Sequence, residues 1–200
     1  KGPAARTLRM PLAKFTLIGA TTRISLLSGP LRDRFGHTFH LQFYEAPDIE
    51  HILKRSARIF QVPLEDAACA VFSGRARRTP RVANRLLRRI RDFAQIEGDG
   101  TITETQARSA LDRLQVDPVG LEDTDRLILR TIIEKFNGGP VGVQALAAAT
   151  AEEMSTVEEV YEPFLMQIGF LERTPKGRCA TRLAYEHLGF QAPAKPATLI

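Results

Sequence analysis

The 200-residue chain has little cysteine and no long apolar run, and both absences narrow what it can be. Cys69 and Cys179 lie 110 positions apart without Cys-x-x-Cys spacing, so neither a disulfide framework nor a cysteine zinc site is expected. A reducing cytosol is the compartment this usage predicts. No stretch approaches the roughly 20 consecutive apolar residues of a membrane-spanning helix. The opening Lys-Gly-Pro-Ala-Ala-Arg lacks the apolar run of a secretory signal. His37, His40, His51 and His187 show no metal-ligand spacing and no partner for nucleophilic catalysis, so ordinary surface or partly buried roles are expected of them. No internal repeat is evident. What is present is globular: 44% hydrophobic and 26% charged residues exclude wholesale disorder. A mass of 22.2 kDa suffices for one large domain or two to three small ones.

Basic residues outnumber acidic ones, 28 to 23, and 22 of the 28 are arginine. The planar guanidinium fork matches phosphate and carboxylate oxygens. The excess is local: residues 1–45 carry +5, residues 46–118 carry +3 and residues 119–200 carry −3. A uniformly DNA-coating protein is therefore not expected. Two runs stand out, Arg75 to Arg91 with eight arginines and no acid, and Arg173 to Arg182 with four basic residues and no acid. Either run also reads as a solvated face.

The apolar run Phe15 to Ala20 leads into Gly-Ala-Thr-Thr-Arg, as a buried strand entering a polar loop would. Pro30 sits where a short helix would begin, and Phe39-His-Leu-Gln-Phe alternates like a second strand. One buried strand cannot close a parallel sheet. Residues 1–45 thus read as the end of an α/β domain whose earlier part is missing.

From Ala46-Pro-Asp the pattern is helical. Asp48 is expected to cap a helix bearing Ile49, Ile52, Leu53, Ala57 and Phe60. Leu64 to Phe72 makes a second. Thr79 as N-cap and Pro80 at the first helical position open a third, with Val82, Leu86, Ile90 and Phe93 at helical spacing. Thr103 with Gln106 opens a fourth, ending near Leu114, and Asp117-Pro-Val-Gly120 marks a boundary.

The last part begins with a helix carrying Leu127, Ile128, Ile132, Ile133 and Phe136, stopped by Asn137-Gly-Gly-Pro. A short helix over Val143 to Ala149 follows. Ser155 and Glu158 then form a capping box for a helix reaching Ile168-Gly169. Phe170 to Thr181 reads as strand, tight turn, strand. Three helices and a hairpin are the order of a winged helix. The tail from Gln191 is expected to be disordered.

Three segments invite chemistry. Thr21-Thr22-Arg23 follows a strand end, where α/β proteins gather ligand-binding groups, although an ordinary polar strand end looks the same. Arg32-Asp-Arg34 in a turn reads equally as a surface pair. Arg81 sits in the first turn of a helix, where the macrodipole disfavours a cation, and a bound phosphate would remove that conflict.

Leu17-Ile-Gly-Ala-Thr-Thr-Arg23, Pro30-Leu-Arg-Asp-Arg-Phe-Gly36 and Thr79-Pro-Arg-Val-Ala-Asn-Arg-Leu-Leu-Arg-Arg89 occur in that order. Val160-Tyr-Glu-Pro-Phe-Leu165 and Arg173-Thr-Pro-Lys-Gly-Arg178 follow. From Gly2 to about Phe190 the set resembles the RuvB family, bacterial AAA+ motors that drive branch migration of Holliday junctions. The resemblance implies a fold in three parts. An α/β remnant of an AAA+ large domain (1–45) is followed by an all-α small AAA+ lid domain (46–118) and a winged-helix DNA-binding head (119–190), with the tail at 191–200.

It also implies roles. Thr22 matches sensor 1, placing the attacking water. Arg34 matches the arginine finger that reaches a neighbouring subunit's nucleotide, a contribution typically worth about 10³–10⁵ in rate. Arg81 matches sensor 2, Pro80 fixes the helix start that aims it, and Tyr44 matches a residue packing near the nucleotide base. The implied DNA contacts lie on the wing at Arg173 and Arg178, with Lys176 between them. Independently, the helix from Val157 to Ile168 carries Glu158, Glu159 and Glu162 and no basic residue, which argues against major-groove reading. The hairpin holds the concentrated positive charge of that domain, and backbone contacts of this kind suit a motor moving along any sequence.

The resemblance further implies ATP and Mg²⁺ in the complete protein, a hexameric ring, Holliday-junction or duplex DNA, the junction-binding protein RuvA, the resolvase RuvC and a bacterial cytoplasm. Two departures matter. Position 78 is arginine where the family usually has glycine. No G-x-x-x-x-G-K-[ST] occurs, nor an apolar strand ending in Asp-Glu, so an N-terminal truncation and an isolated chain without ATP turnover are expected. The alternative is a non-enzymatic winged-helix DNA-binding or adaptor protein. Arg85, Arg88, Arg89 and Arg91 are expected to be subunit-interface or solvated charges. Cys69 is expected in a helix core, and Cys179 on the wing.

Overall fold

The computed structural model describes residues 11–193, which fall into one unit up to Gln42 and another from Phe43 onward. In the first, Ile24–Leu26 form a 3-10 turn and helix α1 covers Gly29–Arg32. Ser28 holds the extended cap position and Pro30 the first turn, where a missing N–H is harmless. Neither expected strand forms. Residues 15–20 and 39–43 are irregular, and Phe15, Leu17, Phe39 and their neighbours face solvent, with Ile18 86% and Leu41 94% exposed. A strand satisfies its N–H and C=O groups through a neighbouring strand, and no described residue supplies one.

The second unit opens with four helices, α2 (Ala46–Ile59), α3 (Asp66–Arg75), α4 (Pro80–Glu97) and α5 (Glu104–Arg113). Their apolar faces meet in one core in which Ile49, Leu53, Phe72, Leu87, Ile90 and Leu111 are fully buried. The start of α2 differs from expectation. Glu45 is the N-cap, and Asp48, three residues inside, accepts from the Glu45 N–H at 3.3 Å. Helix α3 begins later than expected because Leu64 is held in a parallel bridge to Ile102. Thr103 and Gln106 exchange the two bonds of a capping box at 3.1 and 3.3 Å, as their spacing predicts. Thr79 caps α4 by backbone conformation alone, its hydroxyl turning back to donate to the Ala76 carbonyl at 3.2 Å.

A second core follows, built on Leu121, Ile128, Leu129, Ile132, Leu146 and Leu165. Helix α6 (Asp123–Arg130) widens into a π-helical turn over Thr131–Lys135, and α7 covers Val143–Thr150. The next helical stretch runs as α8 (Met154–Thr156), a π-helical turn (Val157–Tyr161) and α9 (Glu162–Gln167). Its N-cap is Glu153, so the expected Ser155–Glu158 capping box does not form. Ser155 already lies inside the helix, and the Val157 N–H bonds the Glu153 carbonyl at 3.0 Å.

Strands β1 (Leu171–Thr174) and β2 (Gly177–Ala180) make the antiparallel hairpin, with Arg173 opposite Arg178. Val141 adds a third edge, exchanging backbone bonds of 2.8 and 2.9 Å with Arg178. A Cβ at position 177 would stand 2.4 Å from the Val141 carbonyl oxygen, so the approach requires glycine. Helix α10 (Arg182–Leu188) closes on Gly189 in the left-handed region. Helices, hairpin and third edge together form a winged helix. The tail expected to be disordered lies mostly outside the described residues. No helix among the described residues is long and apolar enough to cross a membrane.

Candidate phosphate-facing residues

In the first unit, Thr22 and Arg34 are both exposed. The hydroxyl of Thr21 accepts from the Arg23 N–H at 2.9 Å, shaping the turn that carries Thr22. Arg34 follows α1, its N–H bonded to the Leu31 carbonyl at 3.2 Å. Its guanidinium has no hydrogen-bond or ion-pair partner among the described residues.

In the second unit, Pro80 and Arg81 occupy the first turn of α4. Arg81 is exposed and without a side-chain partner among the described residues. The helix therefore presents free N–H groups and an uncompensated cation at one end, an arrangement that an anion stabilises. Tyr44 joins it: its N–H donates to the Arg78 carbonyl at 3.2 Å, and Glu45 pairs with the Arg78 guanidinium at 3.5 Å. The structure thus ties Tyr44 to the residue two positions before Pro80, at the turn that leads into Arg81. Arg77 and Arg78 both have positive φ, 50° and 52°. The conformation at position 78 is one that glycine adopts without strain, which gives the arginine-for-glycine departure a physical meaning.

Sequence reasoning missed the importance of Arg77. Its Nε–H donates to the Gly120 carbonyl at 2.9 Å, one amine pairs with the Asp125 carboxylate, and its plane lies 4.5 Å from the Phe164 ring centroid. Asp125 is 0% exposed and also accepts from the Glu122 N–H at 2.8 Å, while its Oδ1 has no partner. Burial pushes the Asp125 carboxyl above the ordinary range, against the opposing pull of Arg77. Arg85 pairs with Glu122, Arg126 donates to the Gln115 carbonyl at 2.7 Å, and His187 meets Asp117 at 2.7 Å. These contacts join the four-helix core to the winged helix. Gly120 is required there, since a Cβ would stand 2.8 Å from the Arg75 carbonyl oxygen at a φ of +89°. The run of arginines was visible in sequence, but partners more than 40 residues away were not. Arg88 and Arg91 lie over the Phe60 ring at 5.3 and 5.8 Å, and Arg89 is exposed.

The wing cations differ in kind. Lys176 stands exposed at the hairpin turn. Arg173 is exposed yet lies 3.5 Å from Glu158 and 3.8 Å from Glu162. Arg178 is only 6% exposed. Its Nε donates to Glu162 at 2.6 Å and its Nη2 to Glu158 at 2.8 Å, bonds that hold its proton more firmly than in free arginine. The acidic helix does not merely repel phosphate, as its sequence suggests: two of its carboxylates bind the wing. Arg178 as placed is engaged inside the protein and reaches a phosphate only by giving up those carboxylates. Cys69 is buried against the Glu50 carbonyl, and burial pushes its thiol up to about 11. Among the described residues no group of three His, Cys, Asp or Glu side chains is placed to hold a metal ion.

Three family models match along the chain. "Holliday junction DNA helicase RuvB P-loop domain" matches residues 1–41, "RuvB AAA lid domain" residues 44–117 and "RuvB C-terminal winged helix domain" residues 118–189. The Holliday junction branch migration complex subunit RuvB of Thermomicrobium roseum is 60% identical over 193 residues, covering 96% of this chain and 55% of the relative. That of Chloroflexus aurantiacus is 56% identical over 195 residues, covering 98% and 56%. The chain thus spans just over half the length of these curated relatives. Among solved structures, a lysine-to-arginine variant of Thermotoga maritima RuvB superposes with a TM-score of 0.83 at 47% identity, covering 88% of this chain and 58% of that one. Other solved variants of the Thermotoga maritima protein alter an alanine, a threonine, an arginine and a proline. Their intervals along that chain equal those between Ala20, Thr22, Arg34 and Pro80 here.

Proposed function

The chain belongs to the RuvB family, and from that premise we propose that it is the sensor, lid and DNA-binding part of an ATP-driven motor for branch migration at Holliday junctions. The observation that carries the reading is Arg81, without a side-chain partner among the described residues, in the first turn of α4 beside Pro80 and the Arg78 carbonyl that binds the Tyr44 N–H. A cation at a helix N-terminus is an electrostatic conflict that a nucleotide phosphate resolves.

In the complete protein, ATP with Mg²⁺ supplies the phosphoryl group whose transfer to water drives movement. The residues of this chain fit the sensing edge of such a site and not its phosphate cradle. Arg81 would hold a phosphate oxygen at the start of α4, Pro80 fixing the direction of that first turn, while Tyr44 borders the nucleotide base. Thr22 would orient the attacking water through its hydroxyl. Arg34, acting on the nucleotide of a neighbouring subunit in a hexameric ring, would neutralise charge on the transferred group. The isolated chain is expected to turn over no ATP.

The wing supplies the DNA contacts through Lys176 as it stands, and through Arg173 and Arg178 by exchange of their carboxylate partners. Contacts with the backbone position duplex without reading sequence. The domain limits that accompany this reading are 1–45, 46–118 and 119–190. Its partners are junction DNA, further copies of the chain, RuvA and RuvC, in a bacterial cytoplasm.

The test uses the 200-residue chain with labelled four-way junction and linear duplex, ATP turnover being followed in the same samples. Binding that weakens steeply with salt, without turnover, is the expected result. Turnover that survives Arg34→Ala in every subunit overturns the assigned roles.

A further inference from the structure

The hairpin register sets two arginines, Arg173 and Arg178, directly opposite each other. Like charges in that relation destabilise a strand pair unless something lies between them. Glu158 and Glu162 fill that need, each within 4 Å of both guanidinium groups. Glu162 is 2% exposed and bonds Arg178 through both oxygens, at 2.6 and 3.3 Å, which makes it part of the wing's foundation. Glu158 is different. It is partly open to solvent and spans the outer amines of both arginines through one oxygen, at 2.8 and 3.5 Å.

We propose that Glu158 is an internal counter-ion that competes with DNA phosphate for Arg173 and Arg178, and so sets how loosely the wing grips the duplex. With both carboxylates in place, two positive and two negative charges cancel. A phosphate that approaches the wing meets Lys176, exposed at the hairpin turn and in no ion pair among the described residues, and must displace Glu158 before either arginine contributes fully. Each displacement is reversible because the carboxylate waits at hydrogen-bond distance to reclaim the guanidinium. A weak, quickly released grip is what a protein moving along DNA requires. The inference rests on the wing being the DNA-binding surface.

The test is a salt titration of a labelled 30-base-pair duplex with the full 200-residue chain and its variants. Glu158→Gln leaves the buried Glu162 bond intact, and thermal unfolding checks that the variant folds. The expected result is about three- to tenfold tighter binding at low salt, and a logarithmic salt slope steeper by about 0.9, as for one further neutralised phosphate. Glu172, on β1 but in no ion pair within 4 Å among the described residues, controls for bulk charge: Glu172→Gln should tighten binding less. A purely structural Glu158 would weaken binding when altered, because the opposed arginines would splay. Unchanged or weaker binding by Glu158→Gln, with Arg173→Ala and Lys176→Ala still weakening it, overturns this proposal and leaves the wing as the DNA surface. Equal gains from Glu158→Gln and Glu172→Gln also overturn it. If Arg173→Ala and Lys176→Ala both bind as the parent does, the wing reading itself fails, and this inference with it.

Discussion

Arg78 holds a left-handed conformation that costs an L-residue roughly 1–2 kcal/mol. Its ion pair with Glu45 is exposed and returns little of that. Arg78→Gly is therefore expected to raise stability by about 0.5–1 kcal/mol, after the glycine entropy is charged against the relieved strain. Denaturant unfolding measures it. Arg77 shares the conformation and gives the opposite sign. Arg77→Ala strands the Asp125 carboxylate in the core and should lower stability by about 3 kcal/mol or more in the same measurement. The two cysteines also part ways. With its thiol pushed up to about 11, Cys69 is almost wholly protonated at pH 8, whereas Cys179 is only partly covered. A thiol reagent followed by mass spectrometry should label Cys179 first and Cys69 on unfolding alone. A Cys69 that reacts in the folded chain at a comparable rate contradicts the burial.

At the scale of elements, what was legible in the sequence was local. The Thr103–Gln106 box, the proline starts of α1 and α4, and the hairpin turn all depend on residues a few positions apart. The misread starts also have local causes. Glu45 and Glu153 hold the extended cap positions of α2 and α8, three and two residues before the Asp48 and Ser155 that the shorter polar side chains suggest. The apolar pattern of residues 15–20 predicts a strand, yet a strand is a relation between two segments and not a property of one. Likewise the wing arginines could be located, but not their burial, because Glu158 and Glu162 reach them from another element. The family motifs point to Tyr44, Pro80 and Arg81, and helix-start chemistry points independently to Arg81, while Arg77 needed a fold to reveal its partners.

At the scale of the whole molecule, the two units differ in how much they bury. Residues 11–42 are nearly all exposed, with large apolar side chains uncovered, whereas the unit from Phe43 onward contains both hydrophobic cores. Segments with little burial open at low free-energy cost. Brief trypsin digestion should therefore cut after Lys14, Arg23, Arg32 or Arg34 first and leave a resistant piece beginning at Phe35, since no basic residue lies between Arg34 and Lys54, identified by its intact mass. Early cleavage between the four-helix core and the winged helix, after Arg113 or Arg126 on either side of the junction, would contradict the clasp made by Arg77, Arg85 and His187.

Asp125 serves two masters: it accepts from the Glu122 N–H at the start of α6, and it receives the charge of Arg77 from the preceding domain. The order of the chain matters for such a residue. Synthesis delivers Arg77 before Asp125, and domains fold in that direction as they emerge. The four-helix core can thus be in place, its guanidinium presented, when the first helix of the winged domain leaves the ribosome. A head made by itself would have to nucleate that helix around a carboxylate whose counter-charge belongs to an earlier stretch of the message. The lid, on this view, is also the template on which the head begins to fold.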